Sequence, residues 1–196
     1  MPADPDAETS IRAQLEGGDL RGATTATITV YGPELHGFLR GTARDDDLAD
    51  EAFAQFGEDV WRGLNRFRWD SSLRTWCYTV ARNALHRLRR DPKRSPARHV
   101  DLSDADISAI AERVRTVTAT FAKSEVKDEL AVLRNQLDPD DHELLLLRLD
   151  RQMSWKEIAR IRGGDDNITT RAAALRKRFE RAKDRLRELA LENGLL

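Results

Sequence analysis

Asn83 stands in the stretch LRTWCYTVARNALHRLRRDPKR (residues 73–94), with an aromatic end before it and an arginine-rich end after it. An amide carries both a donor and an acceptor, so it can bond the edge of an unstacked base. Phe67 and Trp69, in the preceding loop FRWDSS, offer flat faces for base stacking, and Ser71 and Ser72 keep that loop small. Arg82, Arg87, Arg89 and Arg90 attract phosphate. The chemistry this set supports is the holding of single-stranded nucleic acid, not the making of bonds. The plainer alternative is an ordinary buried helix, with Trp76 and Tyr78 as core and Asn83 capping a neighbouring backbone group.

A second constellation lies toward the C-terminus. Ser154 followed by Glu157 has the spacing of a capping box and starts a short helix over SWKEIARI (154–161). Ala159 stands four residues before Gly163: a small residue where two helices would cross, then one tolerant of positive φ. A helix-turn-helix uses that spacing, and Ile158 and Ile161 face inward in it. The next segment carries Arg171, Arg176, Lys177, Arg178, Arg181, Lys183, Arg185 and Arg187 against Glu180 and Asp184. A basic helix after such a turn can lie in the major groove, bonding guanine edges and phosphates. The alternative is a helical hairpin with a solvated charged face.

Other chemistries are poorly provided for. The 4 histidines, His36, His86, His99 and His142, are scattered without metal-ligand spacing. RGGDDN lacks the Lys-Ser/Thr of a phosphate loop. Cys77 is the only cysteine, so no intrachain disulfide forms and no cysteine-based zinc site is expected. No catalytic residue, metal or cofactor is assigned. The longest apolar run, 144–147, is far too short to span a bilayer, and the start of the chain lacks the pattern of a signal peptide. A cytoplasmic protein without membrane insertion is expected. The formal net charge of −1 hides a segregation. Asp4, Asp6, Glu8, Glu16 and Asp19 make the first segment acidic, while 82–98 and 171–187 are basic; separated blocks say more about partners than their sum.

Helices must hold these sites. Leu48, Ala52, Phe56, Val60 and Leu64 recur at helical spacing behind Asp45-Asp46-Asp47, with Phe53 and Trp61 beside them, which predicts an amphipathic helix. Ser71 or Ser72 caps the next helix, which ends near Asp91 because Pro92 follows. On it Trp76, Val80 and Ala84 share a face, and Trp76 is expected in the core. A helix over 23–39 is weakened by Thr24, Thr25, Thr27 and Thr29. Residues 107–137 hold one or two weakly patterned helices. Asp138-Pro139 opens another helix, and a long one from about Thr170 carries Ala172, Leu175, Phe179, Ala182, Leu186 and Leu189. No strand pattern occurs. The expected fold is all-α, with two small helical domains: a mobile or weakly helical lead-in 1–22, a first domain 23–91, a linker 92–125 and a second domain 126–196.

At this point the residues carry a family resemblance. LADEAFAQFGEDVWRGLNRFRWDSSLRTWCYTVARNALHRLRR resembles the second conserved region of bacterial RNA polymerase sigma factors of the sigma-70 family, most of all the two-domain extracytoplasmic-function (ECF) subgroup. The matching elements are the acidic-apolar helix ending in Trp61, the F-x-x-x-S loop at 67–71, and W-x-Y-x-x-A-R-N at 76–83 with its arginine tail. LDPDDHELLLLRLDRQMSWKEIARI…LRKRFERAKDRLREL is similar to the fourth region, a helix-turn-helix module.

The resemblance implies an alternative sigma factor that directs promoter recognition and transcription initiation. It implies that Asp50, Glu51, Phe53, Gln55, Phe56 and Asp59 bind the β′ clamp helices of core RNA polymerase, with the β flap as a further contact. Phe67, Arg68, Trp69, Ser71, Ser72, Arg74, Asn83, Arg87 and Arg90 would take a flipped base and the phosphates of the minus-ten element. Arg148, Arg171, Ala173, Arg176, Lys177 and Arg181 would contact the minus-35 duplex. An anti-sigma factor is an expected partner. One departure stands out: GGDDNITT is longer than the family's tight Gly-Ile-Ser turn. Ile168 and Thr169 take the place of the Ile-Ser pair, and Asp165 and Asp166 turn the extra residues away from phosphate. The rival reading is a conventional helix-turn-helix repressor or activator, with residues 23–90 as a ligand or dimerisation domain.

If Arg176 contacts a base, Arg176→Ala should cost about 1–3 kcal/mol of binding and relax specificity at one minus-35 position. Lys183→Ala should leave position-specific readout unchanged. Selection from a randomised minus-35 library checks both, and equal, sequence-independent losses would count against the register.

Overall fold

The computed structural model of the chain describes residues 5–90 and 132–194. Every element among them is helical, and they fall into two compact units. The expected linker 92–125 and most of the weakly patterned 107–137 segment lie outside the described residues.

The first unit holds α1 (Pro5–Glu16), α2 (Leu20–Ala43), α3 (Asp46–Gly63) and α4 (Leu73–Arg90). The expected lead-in is corrected here. Residues 5–16 form a helix that packs on α2 and buries Ile11, and α2 starts at Leu20, with Asp19 accepting from the Gly22 amide. One apolar residue per turn gave little periodic signal; tertiary burial of Ile11 supplies what local pattern lacked. The threonines of α2 do not break it. Thr27, Thr29 and Thr42 each donate to the carbonyl four residues back, which satisfies the hydroxyls inside the helix. Asp45 caps α3 by accepting from the Leu48 amide at 2.9 Å.

α2, α3 and α4 enclose the core. Leu35, Phe38, Leu39, Phe53, Phe56, Tyr78 and Leu85 are fully buried. Phe38 meets Tyr78 edge-on at 5.1 Å, and Phe53 stacks on Phe56 at 5.7 Å. At about 100° per residue, Leu73, Cys77, Tyr78, Ala81, Ala84, Leu85 and Leu88 share one side of α4, and all are buried. Trp76 lies on the other side and is half-buried, so Tyr78, not Trp76, is the core aromatic of this helix.

The second unit contains α5 (Pro139–Leu145), which runs into a π-helical turn (Leu146–Asp150), then α6 (Trp155–Gly163) and α7 (Ile168–Glu192). Asp138 and Pro139 start α5 as a cap and first-turn proline. The Ser154–Glu157 capping box is formed in both directions. Leu144, Leu145, Leu147, Ile158, Ala159, Leu175 and Phe179 make its core.

Glu34 is the polar centre of the first unit. It pairs with Arg74, whose side chain is 3% exposed, and accepts from the Tyr78 hydroxyl at 2.9 Å. Burial alone pushes the Glu34 carboxyl up, but the Arg74 hydrogen bond and charge and the Tyr78 hydroxyl outweigh it and hold the group below its ordinary 4.5. Glu34→Gln leaves the Arg74 cation buried without its carboxylate and should cost about 3–5 kcal/mol in urea unfolding. Because the folded pKa is depressed, this stability is complete above the unfolded value and is lost as pH falls through the folded one. The gap between wild type and variant should therefore be flat above pH 4.5 and narrow in acid.

Candidate nucleic-acid interface

In the first unit the loop before α4 is built by its ends. A 3-10 turn (Leu64–Arg66) closes α3, and the Phe67 amide donates to the Leu64 carbonyl at 3.1 Å. Ser72 caps α4, its hydroxyl accepting from the Thr75 amide at 3.1 Å. Between them Trp69 sits at φ 61, a left-handed conformation that strains a bulky residue by about 1–3 kcal/mol. Ring contacts oppose that strain. Trp69 meets Phe67 at 4.9 Å, and Phe67 meets Trp76 at 5.2 Å. Trp76 also packs beside Gly63. All three rings keep part of their surface open to solvent.

Asn83 is exposed and lies two helical turns beyond Trp76 on the same side of α4, and Arg87 and Arg90 continue that file. An aromatic cluster, an amide and two arginines thus line one flank, opposite the core face. Arg68 is 81% exposed beside Asp70. Three expected members are placed otherwise. Arg74 is buried on Glu34 and lies over the Tyr78 ring at 5.4 Å, so it holds the fold and offers no surface cation. Ser72 is used as the helix cap, and the Ser71 hydroxyl donates to the Ser72 carbonyl.

The expected polymerase face lies on α3. Asp50, Glu51, Gln55 and Asp59 are partly exposed, but Phe53 and Phe56 are fully buried. They are corrected from contact residues to core, because they point between α2 and α4 with the rest of the apolar stripe. Asp50 is bonded to the buried His36 at 2.7 Å. Gln55 donates to Glu58 and Asp59 at 3.3 and 3.2 Å. Glu58 escaped the sequence reading; burial holds its carboxyl above the ordinary range, against the opposing pull of Arg62. Gln55, Asp59, Arg62, Arg87 and Leu88 line a cleft of about 300 Å³. There Arg87 pairs with Asp59, joining the α4 file to the acidic face.

In the second unit Ala173, Arg176, Lys177 and Arg181 share the exposed side of α7. Arg148 and Arg176 lie over the Trp155 ring, at 4.9 and 5.8 Å. Trp155 in turn meets Phe179 edge-on at 5.2 Å. This aromatic platform was not foreseen; its one signal was a tryptophan directly after a capping serine. Arg171 is corrected. Its guanidinium turns back to the helix junction and donates to the carbonyls of Ala159 and Gly164, at 3.1 and 3.0 Å. Gly163 ends α6, and a Cβ there would run into that guanidinium. The positive φ falls one residue later, on Gly164 at 71°. Asp165 is drawn onto Arg160 at 2.5 Å, which neutralises part of the turn. Arg178 is tied to Asp138, Asp140 and Asp141 at the start of α5.

Comparison with known proteins fits this geometry. Residues 27–95 match Sigma-70 region 2. The chain is 29% identical over 147 residues to the RNA polymerase sigma factor YlaC of Bacillus subtilis (strain 168), covering 72% of this chain and 80% of that protein. Two solved structures share its fold at 20% identity. One is the sigma factor RpoE in complex with the anti-sigma factor NepR from Bartonella quintana, with TM-score 0.57 over 83% of this chain and 92% of that one. The other is CnrH in complex with the cytosolic domain of CnrY, with TM-score 0.60 over 93% and 96%. The stretch that matches Sigma-70 region 2 begins within α2 and includes α3, the aromatic loop and α4.

The Arg171 seat can be tested alone. Arg171→Ala and Gly163→Ala should each destabilise the chain by about 1–3 kcal/mol through the same lost hydrogen bonds. The double variant should cost no more than Arg171→Ala, a non-additivity read from a double-mutant cycle in urea.

Proposed function

We propose that the chain is an alternative sigma factor of the ECF subgroup. It binds core RNA polymerase and directs promoter recognition, acting by binding and not by catalysis, in the cytoplasm. The observation that carries this reading is the flank of region 2 where Phe67, Trp69 and Trp76 meet and the exposed Asn83, Arg87 and Arg90 follow. A flipped base of the minus-ten element stacks on the open rings and bonds the Asn83 amide, while the arginines hold the neighbouring phosphates. The half-exposed carboxylates of α3 meet the β′ clamp helices. Domain one extends over α1–α4 and domain two includes α5–α7; its expected start at residue 126 lies outside the described residues. Ala173, Arg176, Lys177 and Arg181 face the minus-35 duplex, with Arg148 and Arg176 steadied on Trp155. An anti-sigma factor is proposed as the regulator, a partner of the kind that NepR, in complex with RpoE, is named as. The repressor reading assigns residues 23–90 to ligand binding or dimerisation and has no use for a sigma-70 region 2 over 27–95.

Asn83→Ala removes an exposed amide and should spare folding and polymerase binding. With core polymerase on a promoter library, permanganate footprinting should show fewer melted thymines. The defect should shrink on templates already unpaired at minus ten, where the unstacking cost of a few kcal/mol is gone. Full melting by the variant across promoters varied at minus ten would remove the base pocket from this reading.

A further inference from the structure

We propose that Arg12 of α1 is a further DNA-binding residue of the minus-ten site, holding the phosphate next to the captured base. The inference rests on the base-capture reading above. Arg12 is the one cation among the 12 residues of α1. Its guanidinium lies over the Trp69 ring, 5.5 Å from the centroid, so the strained indole is approached by Arg12 as well as by Phe67. The Arg12 side chain is 56% exposed, and its partner is Glu16, one turn along, itself 67% exposed, at 2.9 Å. A solvated pair of that kind is easily exchanged for a phosphate. Glu8, the acidic neighbour one turn back, is already engaged with the Tyr31 hydroxyl and the Arg74 amide, at 3.2 and 3.3 Å.

A ring that can stack a base, with an exposed cation beside it, is the composition of a single-strand site: the ring takes any base face and the cation takes the backbone. α1 is otherwise acidic, and its cation sits where the loop lies. The first helix is thereby more than packing for α2. It supplies one wall of the site from a segment that precedes the region 2 match at residue 27.

The test uses the chain assembled with core polymerase and a fork-junction DNA whose non-template minus-ten strand is unpaired. Affinity is measured by fluorescence anisotropy across a salt series for wild type, Arg12→Gln, Arg12→Lys and Trp69→Ala. Arg12→Gln should bind several-fold more weakly, with the salt slope reduced by about 0.7, the single-strand value for one phosphate contact. Arg12→Lys should keep the slope. Unchanged affinity and slope for Arg12→Gln, alongside weakened binding by Trp69→Ala, would overturn the Arg12 assignment and leave the base site intact. Weaker binding at unchanged slope would reduce Arg12 to support for the loop, and tighter binding would make it a shield over Trp69; either result overturns the proposal. If Trp69→Ala also binds as wild type does, the base-capture reading itself falls.

Discussion

The buried pair of Glu34 and Arg74 fixes the geometry on which the first unit depends. Arg74 is the second residue of α4, so its guanidinium locks the start of that helix to the middle of α2. Tyr78, one turn later, shares the same carboxylate, and the Arg74 amide is bonded to Glu8 of α1. Three helices thus converge on the point where the aromatic loop ends. A cation 3% exposed is compensated here by a largely buried carboxylate, and removing one charge of such a pair leaves the other uncompensated by it. The loop has few backbone restraints of its own, and the placement of Trp69 and Phe67 follows from where α4 begins.

The many arginines divide by location. Arg74, Arg171 and Arg178 are spent inside the units, on a carboxylate, on helix-end carbonyls and on a cluster of aspartates. Arg176, Lys177 and Arg181 on α7, and Arg90 on α4, stay at the surface. Arg87 stands between these groups, paired with Asp59 across the cleft. A net charge of −1 is therefore compatible with basic faces, since acidic side chains are concentrated on α3 and around the start of α5. Aromatic rings serve both units as seats for guanidinium groups, which limits the freedom of side chains that would otherwise be mobile.

Much of this architecture was legible from local pattern. The Asp45 cap, the Ser154–Glu157 box, the Asp138-Pro139 start and the apolar period of α3 are signals within one or two turns, and local hydrogen bonds enforce them. The all-helical class follows from the same periods. The Asn83 file was legible too, because residues seven and four apart on a helix must share a side. What failed was any inference that needed a partner's position. Trp76 and Tyr78 are two residues apart on opposite sides of α4, and composition alone favours burying the larger one.

The sequence by itself determined the helices, their caps, the basic and acidic blocks and the family resemblance, since each is written in neighbouring residues and short-range physics. Only the tertiary structure decided which arginines face inward, that α1 joins the first unit, and that Trp69 is held left-handed between Phe67 and Arg12. The reason is sequence distance. Glu8 meets the Arg74 amide across 66 positions, and Arg178 reaches Asp138 across 40. Such contacts join residues far apart in the chain, and no local rule says which partner the fold will bring.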